Sequence, residues 1–363
     1  MSQELTTRLS TRVLVVDDSA FMRTALSRMI AAEPDFEVIG TASSGSEALK
    51  KIDALNPDIV TLDIEMPGLN GLETLRHIMS QSPRPVIMVS AATEKDAEDT
   101  FDALAAGAFD YLPKQLSRAS LDIFHIREDL VAKIRAAAAS RRSTVRVDPV
   151  RKPPQPSHAR RNASRLETPP AVIVLGSSTG GPKALEEILP RFPRDLPVPI
   201  LIVQHMPLGF TAAFAQRLNH LCAVAVHEAV HNEPIEPGVV YIAPAGRQMK
   251  VDTRYASRSI ICLDDHPADC LHMPSVDVTM KSVAEKYRTL AVGVILTGMG
   301  SDGAEGVRAI YQAGGLTIGQ DEATCIVYGM PKACAELGVL SRVVPLPEIP
   351  ALILQALHYR KRA

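Results

Sequence analysis

Residues 13–30 read VLVVDDSAFMRTALSRMI, an apolar run that passes directly into an acidic pair and then into a helical pattern. The run lacks polar alternation, as in strands that parallel sheets bury on both faces. The succession repeats through the first half, with predicted strands at 12–16, 37–41, 59–62, 86–89 and 109–112. Helices are predicted at 19–32, 46–55, 72–81, 95–106 and 120–139, and the third shows no strong N-cap. Five strands alternating with five helices predict a doubly wound α/β domain with a parallel sheet.

The alternation stops at residue 140 and resumes at 171. Further strands are predicted at 171–175, 200–204, 239–243, 291–296 and 316–320, and helices at 183–189, 211–219, 278–287 and 304–313. This pattern predicts a second, Rossmann-like α/β domain with a mostly parallel sheet. A β-rich piece at 248–263 predicts an inserted hairpin. We therefore expect one domain at 10–139, a linker at 140–170 and a second domain at 171–360.

Composition excludes several classes of protein. The 363 residues hold 39 basic and 41 acidic side chains, so a globally basic nucleic-acid binder is excluded. No apolar run reaches the ~20 residues that span a bilayer, and residues 1–12 lack the apolar core of a secretory signal. The five cysteines include no C-x-x-C pair, which favours reduced thiols. We expect a cytoplasmic protein with no nucleic-acid partner and no membrane insertion.

The predicted linker is strongly basic. Residues 140–170 contain six prolines and eight basic residues against two acidic ones, a net charge of +6. The rest of the chain therefore carries −8. Such a segment is extended and semi-rigid. It is either a solubilising tether or a docking strip for an acidic partner, and the sequence leaves both open.

Acidic and phosphate-binding side chains follow the strands of the first half. Asp17 and Asp18 follow strand one, Asp63 follows strand three, and Ser90 and Lys114 follow strands four and five. Since neighbouring strands end at one sheet edge, the three carboxylates should converge. Oxygen ligands of this kind suit Mg²⁺, which would relieve their repulsion. Each residue alone could be a helix cap, a turn or a solvated side chain. Together they predict a phosphoryl-transfer site with Asp63 as nucleophile.

A turn of small residues, GSSTGGP at 176–182, follows the first strand of the second half. It places Ser178 at the head of a helix, where exposed N–H groups favour developing negative charge. His205 and Asp302 follow two other predicted strands, so all three residues belong to one sheet edge. Serine, histidine and aspartate form the constellation of acyl-transfer enzymes. The plain alternative for the serine is a helix N-cap.

Three other patterns indicate different chemistry. The turn at 176–183 departs from a phosphate-binding P-loop, because Pro182 stands where the lysine belongs. Residues 227–231 read HEAVH, a zinc-protease pattern, but they follow a β-like segment and precede a helix breaker. Residues 298–303 read GMGSDG, a G-x-G-x-x-G match, and Asp321 stands near the spacing of a ribose-binding acid. On the residues alone, a dinucleotide site remains a rival to the acyl-transfer site.

The first half resembles the receiver domain of two-component response regulators over residues 12–139. The resemblance implies a flavodoxin-like fold of five parallel strands and phosphorylation of Asp63 by a histidine kinase. The other implied site residues are the Mg²⁺ ligand Asp18 with Asp17 in support, the switch residues Ser90 and Tyr111, and Lys114. One departure concerns the turn after strand five. Receivers place proline after the lysine, whereas here Pro113 precedes Lys114 and Gln115 follows it.

The whole chain resembles the chemotaxis response-regulator methylesterases of the CheB type. The motifs that carry this resemblance are GSSTGG (176–181), QHM (204–206), PGVVYIAP (237–244), PSV (274–276), LTGMGSDGA (296–304) and YGMP (328–331). This resemblance implies that the glycines at 298–303 form the turn that presents Asp302, and it therefore excludes the dinucleotide site. The implied site comprises the nucleophile Ser178, the base His205, the orienting acid Asp302, and oxyanion support from Thr179 and Met299.

The resemblance implies a carboxylic ester hydrolase that acts on glutamyl methyl esters of chemoreceptors and also deamidates receptor glutamines. The unphosphorylated receiver would cover the esterase site. The esterase domain would use no cofactor, and a monomer is expected. Two rival classes are a response regulator whose second half only binds a ligand or partner, and a regulator with a DNA-binding output domain. The second rival would need a basic recognition helix, which residues 171–360 lack.

Overall fold

A computed structural model describes residues 10–90, 94–114, 120–145, 168–254, 258–265 and 272–359. The chain forms two compact units that divide between residues 149 and 150. The domain and linker limits expected at 139/140 and 170/171 stay predictions. Most of the expected linker, residues 146–167, lies outside the described residues, and so does Gln115.

The first unit is a five-stranded α/β domain. Its strands are β1 (Thr11–Val16), β2 (Phe36–Ala42), β3 (Ile59–Asp63), β4 (Val86–Ser90) and β5 (Asp110–Pro113). Its helices are α1 (Ala20–Ala31), α2 (Gly45–Leu55), α3 (Gly71–Gln81), α4 (Glu94–Ala105) and α5 (Ser120–Val145). The sheet is parallel, in the order β2-β1-β3-β4-β5. This confirms the predicted fold class, and α5 continues past the predicted end at residue 139.

Local sequence explains where these helices begin. The side chain of Ser19 caps α1, and the side chain of Ser44 caps α2. Helix α3, for which the sequence predicts no strong cap, begins with a complete capping box between Asn70 and Glu73. The box satisfies two otherwise unpaired N–H groups. The capping box also fixes the start of the helix that follows Asp63. The prediction that this helix lacks a strong N-cap was therefore wrong.

The second unit is a larger α/β domain. Its strands are β6 (Val172–Ser177), β7 (Ile200–Gln204), β8 (Ala225–Glu228), β9 (Val239–Ile242), β10 (Gln248–Arg254), β11 (Arg258–Asp264), β12 (Ala291–Ile295), β13 (Leu316–Gln320) and β14 (Arg342–Val344). Its α-helices are α6 (Gly181–Ile188), α7 (Phe210–Leu221), α8 (Val276–Tyr287), α9 (Ala304–Gln312), α10 (Met330–Glu336) and α11 (Ile349–Ala356). Short 3₁₀ turns lie at Leu189–Arg191, Arg288–Leu290 and Leu346–Glu348.

The seven strands of the main sheet are parallel, in the order β14-β13-β12-β6-β7-β9-β8. Strand β6 lies between β12 and β7. Its residues pair in register, Gly176 with Ile295 and Ser177 with Gln204. The turns that follow these three strands therefore start at one level of one sheet edge. An open α/β sheet places its site at such an edge, where the strand order reverses.

The predicted insertion is an antiparallel hairpin of β10 and β11, separate from the main sheet. It packs on α8, where Thr279 Oγ1 donates to the Met249 carbonyl oxygen at 2.7 Å. The Val251 N–H donates to Ser282 Oγ at 3.0 Å. Since Met249 and Val251 are buried in the core of this unit, the hairpin forms part of the domain core.

Helix α5, with 26 residues, is the longest helix in the described part of the chain. Neither it nor any other helix among the described residues combines the length and the apolar character that crossing a bilayer requires.

Candidate active site

Ser178 stands in the turn between β6 and α6. The turn is tight because Gly180 adopts φ +77° and Pro182 opens the helix. Gly181 admits no side chain, since a Cβ there would lie 1.9 Å from Gln204 Oε1. Ser177 is fully buried, whereas Ser178 is partly exposed. Of the two neighbouring hydroxyl groups, that of Ser178 is the one open to a substrate.

Gln204, the last residue of β7, joins the serine turn to the histidine turn. Its Oε1 accepts a hydrogen bond from Ser177 Oγ at 2.6 Å. Its Nε2 donates to the carbonyl oxygens of Ser178 at 2.9 Å and His205 at 3.0 Å. The sequence interpretation gave Gln204 no role. Its signal was a polar residue that ends the apolar strand ILIVQ.

His205 and Asp302 are in direct contact. Nε2 of His205 lies 2.7 Å from Oδ2 of Asp302, and the two side chains are only 11% and 10% exposed. Because a carboxylate accepts only, Nε2 carries the ring proton of the neutral imidazole. Nδ1 is then the basic nitrogen. It is buried and lacks a hydrogen-bond partner among the described residues.

The carboxylate of Asp302 is held by the N-terminus of α8. Oδ1 accepts from Ser275 Oγ at 2.8 Å and from the Asp277 N–H at 3.1 Å, and Oδ2 accepts from the Val276 N–H at 2.7 Å. Burial acts to raise the pKa of Asp302. The hydrogen bonds and charge of His205, together with the helix N–H groups, hold that pKa well below its usual range. Asp302 is therefore ionised and fixed in orientation.

Ser178 lies against the loop between β12 and α9. Its N–H donates to the Thr297 carbonyl oxygen at 3.1 Å, and Thr297 Oγ1 donates to the Thr179 carbonyl oxygen at 3.0 Å. A Cβ at Gly298 would lie 2.9 Å from Ser178 Cβ. These contacts bring Thr179 and the loop that holds Met299 beside the serine. Their oxyanion roles stay predictions.

The serine and histidine turns are also joined directly, because the His205 N–H donates to the Ser177 carbonyl oxygen at 3.1 Å. The hydrogen bonds of the described residues do not include one between Ser178 Oγ and His205 Nδ1. Such bonds often tighten only when substrate is bound. The structure thus brings the three predicted catalytic residues to one edge, with the histidine–aspartate pair already formed.

A second site lies in the first unit, where Asp17 and Asp63 follow neighbouring positions of β1 and β3. Asp17, Asp18 and Asp63 each offer a carboxylate oxygen within 4.8 Å of the others. Lys114 Nζ lies 2.6 Å from Asp63 Oδ2 and 3.1 Å from Asp17 Oδ2. Burial raises the pKa of Asp63 to about 6, with Asp17 adding to the rise and Lys114 opposing it. The three carboxylates carry more negative charge than Lys114 neutralises. Since carboxylate oxygens are ligands that Mg²⁺ prefers, the cluster fits Mg²⁺.

The two predicted switch residues lie nearby on β4 and β5. Ser90 is buried, and its Oγ accepts from Thr100 Oγ1 on α4 at 3.0 Å. Tyr111 is also buried, and Lys133 Nζ of α5 lies 5.2 Å from its ring centroid. Both residues therefore lie on β4 and β5, the two strands that continue the sheet from β3, which ends in the predicted phosphorylation residue Asp63.

Two of the competing patterns are accounted for by their contacts. In HEAVH, His227 lies on β8, and its Nε2 bonds Glu233 at 2.9 Å, whereas His231 Nδ1 accepts from the Leu263 N–H. The two histidines therefore do not share a helix face. Asp321 accepts from the backbone and hydroxyl of Thr324. Neither group forms the geometry that its motif requires.

Comparisons with known proteins agree across both units. The model for the CheB methylesterase family matches residues 173–353, and that for the response regulator receiver domain matches residues 13–123. The protein-glutamate methylesterase/protein-glutamine glutaminase 2 of Nitratidesulfovibrio vulgaris is 45% identical, with 95% of this chain and 99% of that protein aligned. A protein of the same name without the numeral, from Bacillus subtilis, is 43% identical, with 94% and 97% aligned.

The second unit also resembles a solved structure. The crystal structure of the Thermotoga maritima CheB methylesterase catalytic domain is 39% identical in sequence, with a TM-score of 0.50. The match covers 51% of this chain and 98% of that one. The similarity thus extends over an entire solved catalytic domain.

Proposed function

Since this chain belongs to the family of CheB-type protein-glutamate methylesterases, with a receiver domain before the catalytic domain, we propose that it hydrolyses γ-glutamyl methyl esters of chemoreceptors at Ser178. The observation that carries the proposal is the contact between His205 and Asp302. With Nε2 committed to the carboxylate, Nδ1 is the atom that can take the proton of Ser178.

The mechanism follows from these atoms. Nδ1 of His205 accepts the hydroxyl proton of Ser178 while Oγ attacks the ester carbonyl carbon. The tetrahedral oxyanion is stabilised by N–H groups at Thr179 and Met299 and by the N-terminus of α6. The imidazolium, stabilised by Asp302, returns its proton to the departing methoxide, and methanol leaves.

Deacylation reverses the roles. Nδ1 takes a proton from water, the hydroxide attacks the acyl carbon, and Ser178 recovers its proton while a glutamate carboxylate is released. A receptor glutamine would form the same acyl-enzyme, with ammonia as the leaving group. Glutaminase activity therefore requires no further catalytic residue, and the relatives carry both activities in their names.

The experiment is methanol release from methylated receptor by the full chain, with and without acetyl phosphate. Ser178→Ala should abolish release. Ser177→Ala is the matched control, since its hydroxyl is buried against Gln204, and it should keep most of the activity. Methanol release by Ser178→Ala would overturn the assignment. A fluorophosphonate probe that labels neither variant nor the parent would favour the rival, binding-only output domain.

We propose further that phosphorylation of Asp63 by a histidine kinase relieves inhibition of the esterase by the receiver. Asp17, Asp18 and Asp63 would hold Mg²⁺, which when bound neutralises phosphoryl charge. Asp63 is the acceptor, Lys114 pairs with the phosphoryl oxygens, and the Ser90 hydroxyl turns toward them. The support is the carboxylate cluster with its lysine at 2.6 Å.

Regulation is tested by the ratio of esterase rates with and without acetyl phosphate. The parent chain should be stimulated, and Asp63→Asn should show a ratio of one. Glu65→Gln is a matched control, since that carboxylate is exposed and only its N–H contacts Asp63. Equal rates for the parent with and without phosphodonor would contradict the proposed inhibition.

The remaining parts of the proposal concern surroundings and partners. A cytoplasmic monomer would meet both the kinase and the receptor. The basic segment at 140–170 would either tether the domains or dock on an acidic partner. Replacing its arginines with glutamine should weaken kinase or receptor binding in a salt-dependent way if it docks, and leave binding unchanged if it only tethers.

A further inference from the structure

The imidazole ring of His205, the proposed base, is contacted on its face as well as at its edge. The ring of His272 stacks on the ring of His205, with centroids 4.1 Å apart and planes inclined by 20°. Asp302 holds the edge of His205 through Nε2. The two contacts restrict different motions, because a hydrogen bond sets the direction of one nitrogen while a stacked ring limits tilt of the whole plane.

His272 is uncharged under the conditions in which His205 acts. Burial, with a smaller contribution from the charge of His205, lowers the pKa of His272 to about 4, while Asp302 opposes the shift. A neutral ring can stack on His205 in both protonation states without the repulsion that a second imidazolium would introduce.

Gln248, the first residue of β10, fixes the segment that carries His272. Its side chain is almost fully buried at 1% exposure. Nε2 donates to the His272 carbonyl oxygen at 2.9 Å, and Oε1 accepts from the Ser275 N–H at 2.8 Å. One side chain therefore holds both ends of residues 272–275. Ser275 in turn donates its hydroxyl hydrogen to Asp302.

We propose that His272 is a positioning residue for His205 and that Gln248 sets the place of His272 against it. The inference rests on the proposed function, because it requires His205 to be the base. His272 keeps Nδ1 directed at Ser178 by closing the face of the imidazole. Through Gln248, the β10–β11 hairpin becomes a support of the esterase site, although neither of its strands joins the main sheet.

The test uses the full chain, stimulated with acetyl phosphate, and separates kcat from KM in methanol release. His272→Ala should lower kcat at least about 10-fold and leave KM within about 2-fold of the parent. A less well oriented His205 slows proton transfer from Ser178 but does not weaken substrate binding. His272→Phe retains a flat ring of similar size. It should recover kcat to within about 3-fold of the parent, since the proposed role is stacking.

Gln248→Met removes both hydrogen bonds at nearly constant volume and should lower kcat about 5-fold or more. Lys250→Met is the matched control, on the same strand; among the described residues its ammonium pairs with Asp264 alone, at the surface, and the change should alter kcat less than about 2-fold. Circular dichroism and thermal melting report whether each variant is folded. His272→Phe and Gln248→Met keep the test decisive if His272→Ala is unstable.

Two results would overturn the inference: kcat of folded His272→Ala within about 2-fold of the parent, or His272→Phe as slow as His272→Ala. Ser178→Ala is assayed beside them. If Ser178→Ala is inactive while His272→Ala is normal, the inference fails and the proposed esterase stands. If Ser178→Ala still releases methanol, the proposed function itself fails.

Discussion

Replacing Asp302 with asparagine changes one atom of the proposed site and tests its electrostatic design. All four groups that contact the carboxylate donate hydrogen bonds to it: His205 Nε2 and the Val276 N–H to Oδ2, and Ser275 Oγ and the Asp277 N–H to Oδ1. An asparagine has one acceptor oxygen and one NH₂ group. With NH₂ in the place of Oδ2, it faces two N–H donors; in the place of Oδ1, it faces the Asp277 N–H and the Ser275 hydroxyl, which would have to reverse and accept.

The two orientations harm catalysis in different ways. With NH₂ toward His205, Nε2 must become the acceptor, so the proton moves to Nδ1 and the base nitrogen for Ser178 is lost. With NH₂ toward Asp277, a partly buried backbone N–H loses its partner, which costs about 1 kcal/mol. The imidazolium then also loses the negative charge 2.7 Å from Nε2.

The expected loss in kcat is about 10³- to 10⁴-fold, the scale seen when the same change sets the wrong histidine tautomer in a serine protease. At 1.36 kcal/mol per factor of ten, this equals about 4–5.5 kcal/mol of transition-state stabilisation. KM should change little, because the carboxylate of Asp302 contacts His205 and the start of α8 and acts through His205.

The assay is methanol release from methylated receptor with acetyl phosphate present. Asp321→Asn is the matched control. That aspartate also follows a strand of the same sheet, but among the described residues its side chain accepts hydrogen bonds from the neighbouring Thr324 alone, and the variant should keep its activity. Folded Asp302→Asn with kcat within about 10-fold of the parent would refute the assigned role of the carboxylate.

Three further predictions concern packing, buried charge and capping. Gly298→Ala should lower kcat at least about 10-fold in methanol release, since its Cβ would lie 2.9 Å from Ser178 Cβ. Lys133→Met removes the ammonium group that pairs with the buried carboxylate of Asp110 and with the partly exposed carboxylate of Asp129, and it should lower the receiver's free energy of unfolding in urea by about 3 kcal/mol at pH 7. Burial raises the pKa of Asp129, so this deficit should shrink as pH falls and the carboxylate is protonated; a constant deficit would contradict the assignment. Asn70→Ala should lower the same free energy by about 1 kcal/mol through loss of the α3 cap, and an unchanged urea midpoint would argue against it.

The sequence was sufficient for the features that follow from strand order. Apolar runs without alternation identified β1, β3, β4, β6, β7 and β12 as buried parallel strands, and each polar residue after a run was thereby assigned to one sheet edge. That argument brought Asp17 near Asp63, and His205 near Asp302, without any contact being known. The regular pairing of parallel strands explains its success, since register places strand ends at one level.

Contacts between loops could not be read in this way. The groups that hold Asp302 come from residues 275–277, and hydrophobic periodicity says nothing about which loop meets which helix start. Gln204, Gln248 and His272 were missed for the same reason. Each is a polar side chain at the end of an element or in a connection, where only three-dimensional contacts distinguish a buried support from a solvated residue. The Asn70–Glu73 capping box, by contrast, was visible as a spacing of three and was overlooked.

The edge strand β14 and the final helices were also absent from the prediction, and the edge strand β8 was present only as the β-like segment before residue 227. Strand β14 has three residues and β8 has four, too few to show a period. Helix α10 has only seven residues, so its pattern spans less than two full turns. None of these elements contributes a residue to the proposed triad, and the site prediction did not depend on them.

Peptide mapping of the adduct formed with a fluorophosphonate probe tests the central claim, that Ser178 is a nucleophile activated by His205. The account predicts a single modified residue, Ser178, in the phosphorylated full chain, with labelling of His205→Gln slowed by at least about 10³-fold. An adduct on Ser177, or labelling of Ser178 at an unchanged rate in His205→Gln, would contradict it.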